Sequence, residues 1–157
     1  MRFKSSSEKK LKYKIINHFM IKGNKATCEN ILVKSLKRIQ KLYTKPHSEI
    51  TKIAILNVTP LFRVIQLQEK RKKKKKKGAK RAKEVPAFLS HYNFRTSWAF
   101  KLLLDSVKKR SKKSKFFEEL QQEIVSTSQN SGESVRVKTE TQKAALKKKL
   151  YLKYYRW

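Results

Sequence analysis

Eight consecutive residues, from Lys70 to Lys77, are cationic, and Gly78 follows them. On either side lie "LFRVIQLQ" and "PAFLSHYNF", which have the composition of folded segments rather than of a tail. Any fold of this chain must hold a dense block of positive charge between two ordered stretches. The rest of the sequence tightens the constraint: 42 Lys and Arg stand against 11 Asp and Glu, a formal net charge of +31. A compact body with that charge repels itself and is stabilised by a polyanion. The cations run from Arg2 to Arg156, so a charged tail does not account for them. Nucleic acid against several faces does.

The aromatic share of 10% and the length of 157 residues suit a chain that buries a core rather than a disordered one. Cys28 is alone, which excludes an internal disulfide and a cysteine-based zinc site. No run approaches the roughly 18 to 20 apolar residues of a membrane span. His18, His47 and His91 fall in three different elements, and adjacent Glu118 and Glu119 point to different sides of a helix. There is no glycine-rich phosphate loop, no HExxH and no acidic pair spaced for metal. An enzyme is therefore disfavoured, and no metal or cofactor is expected.

The apolar spacing predicts mostly helices. Leu11, Ile15, Ile16 and Phe19 form one stripe, ended by Lys22-Gly23. Ile31, Leu32, Ser35, Leu36, Ile39 and Leu42 form a second, longer one. Ser48 is a plausible N-cap for a third helix carrying Ile50, Ile53 and Ala54, which must stop before Pro60. "LFRVIQLQ" and "VPAFLSHY" then read as antiparallel strands, with the basic run and Gly78 between them. Like charges facing each other across that hairpin splay its outer part, so its tip is expected to be mobile until a polyanion meets it. Trp98, Leu102 and Leu103 mark a fourth helix, and Phe116, Phe117, Leu120 and Ile124 a fifth that stops at Gly132. Thr139 and Gln142 have capping-box spacing and are expected to open the last helix. The fold class is thus mainly α: about six bundled helices, with a long β-hairpin inserted between the third and fourth. One domain over 1–157 is expected, comprising a basic arm (1–10), the hairpin (61–90) with its lysine-rich tip (70–83), and a basic, aromatic tail (147–157).

This order of elements resembles the ribosomal protein S-seven family, the seventh protein of the small ribosomal subunit. "FMIKGNKATCENILVKSL" is similar to that family's first-helix, loop and second-helix block, with Gly23, Lys25, Thr27 and Glu29 on its typical positions. "NVTPLFRV" resembles its lead into the hairpin, and "EVP", with Pro86, its return strand. "RTSWAFKLLLDSVKKR" resembles the fourth-helix block, with Arg95, Lys101 and Lys109-Arg110 at basic positions, and "NSGESVRVKTE" and "YYRW" complete the match. The resemblance implies a binder of the 3′ major domain of small-subunit ribosomal RNA that nucleates assembly of the subunit head beside neighbouring head proteins. It also implies a hairpin near exit-site tRNA and the messenger path. The chain departs from the family at the lysine-rich tip, at Phe94-Arg95 in place of an arginine pair, and at Gln142 in place of a histidine.

The residues expected to meet ribosomal RNA follow from charge and this resemblance. Before the hairpin they are Lys9, Lys10, Lys12, Lys22, Lys25 and, in its first strand, Arg63. In the tip and return strand they are Lys70, Arg71, Lys72, Lys73, Lys74, Lys75, Lys76, Lys77, Lys80, Arg81 and Lys83. Beyond it they are Arg95, Lys101, Lys108, Lys109, Arg110, Lys112, Lys113, Arg136, Lys138 and Arg156. Tyr92, Tyr154, Tyr155 and Trp157 are candidates to stack on bases, whereas Trp98, Phe116 and Phe117 lie on apolar stripes and are expected in the core.

An architectural DNA-binding protein is the main alternative, but its β-arms often carry an apolar or proline wedge near the tip, and residues 70–83 contain neither. A nuclear import signal would sit in a flexible segment, and binding to an acidic membrane would leave the dispersed charge unexplained. The first matched helix is expected to begin by about Lys9 to Leu11, leaving no room for a cleaved leader. That start, a drift from the bacterial pattern most visible in the hairpin, where plastid members of the family usually stay closer, and a lysine-over-arginine bias with many Ile and Asn together point to a mitochondrial ribosome and an organelle-encoded protein, with a plastid ribosome as the alternative.

Overall fold

The computed structural model describes residues 6–67, 83–111 and 115–148. Their elements run α1 (Ser6–Phe19), α2 (Lys25–Leu42), α3 (His47–Val58), β1 (Phe62–Leu67), β2 (Lys83–Phe88), α4 (Tyr92–Arg110), α5 (Phe116–Ser128) and α6 (Glu133–Lys147). Among the described residues these are six helices and one antiparallel two-stranded ribbon between the third and fourth, as the sequence pattern predicts.

Local chemistry sets the boundaries. After α1 the chain turns through two left-handed residues, Lys22 at φ 51° and Gly23 at φ 78°. Glycine tolerates that region without penalty. In α2 the buried Cys28, Leu32, Ser35, Leu36 and Ile39 recur every three or four residues, so one face packs inward. Ser35 enters the core because its hydroxyl donates to the Leu32 carbonyl at 2.9 Å. Prolines bracket α3: Pro46 precedes its first turn, and Thr59, before Pro60, swings to an extended ψ of 114°.

β1 and β2 pair from Phe62↔Phe88 to Leu67↔Lys83. The Phe62 and Phe88 rings meet edge-on at 5.6 Å at the root of this ribbon. Pro86 is tolerated opposite Val64 because a two-stranded ribbon has a free edge on each strand.

The core is a single cluster drawn from all six helices. α5 is its hub, packing against α2, α3, α4 and α6. The fully buried Glu123 of α5 locks two of these neighbours. Its Oε1 accepts the Ser134 backbone N–H at 2.9 Å and the Ser134 hydroxyl, capping the start of α6. Its Oε2 accepts from the Arg110 guanidinium at the end of α4. A second clasp lies nearby: the Asn57 amide donates to the Thr127 and Ser128 carbonyls, and Lys138 Nζ donates to the Asn57 carbonyl at 2.7 Å. It ties the last turns of α3 and α5 to α6.

Several expectations are corrected. Ser48 is not the N-cap of α3; Pro46 is, with no side-chain cap. Gly132 does not end α5, whose cap is Gln129; the left-handed residue there is Asn130 at φ 61°, and Gly132 instead caps α6. Thr139 therefore lies inside α6, its hydroxyl turned back to the Arg136 carbonyl, because the buried Glu123 nucleates α6 two turns earlier. α1 already begins at Ser6, ahead of the Lys9–Leu11 start, so helix occupies the second half of the expected arm. Trp98 and Phe117 are only half-buried: the inward face of α4 is set by Ala99, Phe100, Leu103, Leu104 and Val107, one position round from Trp98. Leu42 and Ile53 face solvent, while Phe116 packs against the core as expected.

A Cβ on Gly132 would lie 2.6 Å from Thr127 Cγ2 and 2.9 Å from Glu123 Oε1. Gly132→Ala is therefore expected to destabilise the fold by about 1–3 kcal/mol, as overpacking does, in urea or thermal denaturation. The backbone there is ordinary, at φ −74°, so an unchanged midpoint would show that the clasp yields freely.

Candidate nucleic-acid interface

With so few acids, their placement decides which cations remain available. Most carboxylates are held in ion pairs within the fold. Glu29 meets Lys12 at 3.3 Å, Glu118 meets Arg38 at 2.8 Å, and Glu119 meets Arg110 at 3.4 Å. Glu133 and Glu140 flank Arg136 at 3.1 and 3.6 Å. Lys148 reaches Glu84 at 2.5 Å, and its hydrogen bond and charge hold that carboxyl below the usual range. Five of these acids sit on α5 and α6: Glu118, Glu119, Glu123, Glu133 and Glu140.

The expected RNA contacts separate accordingly. Lys9, Lys10, Lys22, Arg63, Lys108 and Lys109 are exposed, and no ion pair joins them to another described residue. Lys25 lies with its ammonium 5.2 Å from the Tyr13 ring centre, and Lys101 4.6 Å from that of Trp98, a solvent-side arrangement that accounts for the half-buried indole. Arg95 serves the fold itself. Its Nε donates to the Leu89 carbonyl, and its guanidinium covers the Phe88 ring at 5.2 Å, bracing the ribbon root against α4. Arg110, Arg136, Lys12 and Lys138 are likewise engaged within the fold. Burial pushes the Lys138 ammonium below its ordinary pKa. Lys83 opens β2. Lys70, Arg71, Lys72 to Lys77, Lys80, Arg81, Lys112, Lys113, Tyr154, Tyr155, Arg156 and Trp157 lie outside the described residues, and so do the tip and most of the tail.

One sizeable concavity occupies the side formed by α1, α3 and the start of α4. This groove has a volume of about 740 Å³ and is lined by Lys10, Leu11, Tyr13, Lys14, Lys52, Ile55, Leu56, Tyr92, Asn93 and Thr96. None of these is acidic. Lys14 Nζ donates to Asn93 Oδ1 at 2.7 Å, joining α1 to α4 across it. Of this set only Lys10 and Tyr92 are among the expected contacts. Tyr13, Lys14, Lys52 and Asn93 escape sequence reading because three separate helices contribute them, and no short-range spacing signals that convergence.

His18, one turn after Lys14, lies with its ring 6.0 Å from that of Phe100. Burial, and secondarily the Lys14 charge, lower its pKa from 6.5. The unfolded chain therefore takes up this proton more readily than the fold does. Above 6.5 both states are neutral and stability is unaffected; as pH falls through 6.5 toward the folded value, stability is lost.

The profile of the family described as "Ribosomal protein S7p/S5e" matches residues 2–149. Among similar proteins, "Small ribosomal subunit protein uS7c" of Bigelowiella natans is 29% identical over 140 residues, 89% of this chain and 82% of its own. The uS7c of Euglena longa is 33% identical over 129 residues, 82% of this chain and 67% of its own. "Small ribosomal subunit protein uS7" of Pelotomaculum thermopropionicum is 29% identical over 150 residues, 96% and 88% respectively. The uS7c names designate the plastid type and overturn the expected mitochondrial placement. That expectation rests on drift from the bacterial pattern and on coding composition, and neither separates one organelle from the other.

Two outcomes are expected. Arg110→Met should lower stability by about 1–3 kcal/mol, the weaker end of breaking a buried pair because the guanidinium is partly in water. Lys109→Met should leave the urea midpoint unchanged; equal effects would contradict this division of roles. Thermal midpoints between about pH 5 and 8 should fall toward acid, and His18→Gln should flatten that slope.

Proposed function

This chain belongs to the ribosomal protein S7p/S5e family, and we propose that it binds the 3′ major domain of small-subunit ribosomal RNA and nucleates assembly of the subunit head. It is a structural, non-enzymatic component of the small ribosomal subunit, whose partners are small-subunit ribosomal RNA and other ribosomal proteins. The observation that carries the finer reading is the uneven use of charge. Most described carboxylates are bound up in ion pairs within the fold, while Lys9, Lys10, Lys22, Arg63, Lys108 and Lys109 stay exposed.

Each lysine that meets a phosphate releases condensed counterions. About six to ten contacts lose roughly a thousandfold to a hundred-thousandfold in affinity between 50 and 200 mM salt. A lysine is a hydrated point charge without the planar fork of arginine, so a block such as Lys72 to Lys77 suits crowded phosphates better than base edges. Specificity falls to the shape of folded RNA, to stacking and to 2′-hydroxyl contacts from the ordered body. In this reading the hairpin is an electrostatic probe reaching toward exit-site tRNA and the messenger path, and the body recognises the RNA.

The test is binding at about 200 mM salt, where non-specific phosphate contacts are weak. The 3′ major-domain RNA is compared with a base-shuffled RNA of equal length, using the whole protein and a form lacking residues 70–83. Both forms are expected to prefer the native RNA. Equal affinity for the two RNAs would reduce the protein to a generic polycation and overturn the proposal.

A further inference from the structure

The groove between α1, α3 and α4 has a composition that phosphate binding alone does not explain. A surface built only to neutralise phosphates needs cations, yet this one has an apolar floor. Leu56 on that floor is 60% exposed, and the two tyrosines at the groove, Tyr13 and Tyr92, are 49% and 63% exposed. Large side chains with that much surface in water gain from a partner that covers them. The volume of about 740 Å³ lies within the range of roughly 300–1,000 Å³ typical of small-ligand sites.

The polar groups narrow the choice of occupant. Lys10 and Lys14 stand at the groove and none of its lining residues is acidic, so the occupant carries negative charge beside a flat apolar part. An ammonium has only hydrogens to offer, so Lys14 fixes the Asn93 amide with its oxygen toward α1. The amide –NH₂ is left as a donor pair. Lys25 covers the Tyr13 ring, placing positive charge beside a surface on which a base can stack. Aromatic rings and lysines lining one groove, together with an amide donor, form the elementary chemistry of a site for unstacked nucleotides.

We propose that this groove seats one or two unstacked nucleotides of the bound RNA. The bases stack on Tyr13 and Tyr92, the Asn93 amide donates to a base oxygen, and Lys10 meets the adjoining phosphate. This assignment rests on the RNA-binding reading and gives it a source of selectivity other than charge. An amphipathic protein segment would need acidic residues to suit the same lysines, and variants of the two tyrosines separate it from RNA.

Tyr13→Leu and Tyr92→Leu remove the ring while keeping apolar bulk, and both sites are exposed enough for the fold to survive, which thermal denaturation checks. In the whole protein each is expected to weaken binding to 3′ major-domain RNA by about five- to a hundredfold. Neither should alter the salt dependence, because no cation is lost. Lys10→Gln should instead lower the slope of log affinity on log salt by about one. Ultraviolet crosslinking of the bound RNA should reach Tyr13 or Tyr92. Folded tyrosine variants with unchanged affinity, and no crosslink at the groove, would overturn the proposal while the wild-type protein still prefers native RNA. They would leave the groove to a protein segment. Loss of that preference in the wild type would instead overturn the RNA reading itself.

Discussion

A carboxylate that water cannot reach holds the C-terminal half of this fold together. Glu123 caps α6 through Ser134 and binds Arg110 at the end of α4, so one side chain fixes the junction of three helices. A buried charge is costly unless every oxygen is satisfied. Here the requirement is met by a helix N-terminus, a hydroxyl and a guanidinium. Gly132 is part of the same arrangement, since only a residue without Cβ leaves room for the carboxylate. The position of α6 follows from this, and so does that of the ribbon, because β1 packs against α6 and Lys148 reaches Glu84.

The clasp also offsets part of the self-repulsion of a chain with a net charge of +31. Repulsion spread over a surface is screened by salt, whereas pairs at helix junctions are screened much less. Glu118, Glu119 and Glu123 sit where α2 and the end of α4 meet α5, and each faces an arginine. Arginine can keep its charge at such partly buried places because its guanidinium is weakly hydrated and forked. Lysine predominates where charge is left in water. Hydration thus biases the two cations: Arg38, Arg95 and Arg110 brace helix junctions and the ribbon root, while most exposed cations are lysines, with Arg63 and Lys138 as exceptions.

Helix number and order, the inserted ribbon and most of the core were legible in the sequence, because periodicity of apolar residues is a local signal. The stripe Leu32, Leu36 and Ile39 shows it, and so does the break of α3 before Pro60. What failed was whatever depends on a distant partner. Thr139 and Gln142 have capping-box spacing, yet α6 starts at Glu133 because a carboxylate from another helix caps it there. Trp98 reads as core by spacing, but an indole at the margin of the inward face ends half-covered beneath Lys101. The groove was invisible for the same reason: Tyr13, Lys52 and Asn93 belong to three stripes with no common period.

The central place of α5 has a consequence for how the protein comes into being. Synthesis is vectorial, and α5 is the fifth of the six described helices to emerge. Until it does, the inward faces of α2, α3 and α4 lack the helix against which they pack, and Glu118, Glu119 and Glu123 are not yet present to offset the arginines. A nascent chain of this design is therefore cationic and unclosed for most of its translation, and closes late, over a few final turns of helix.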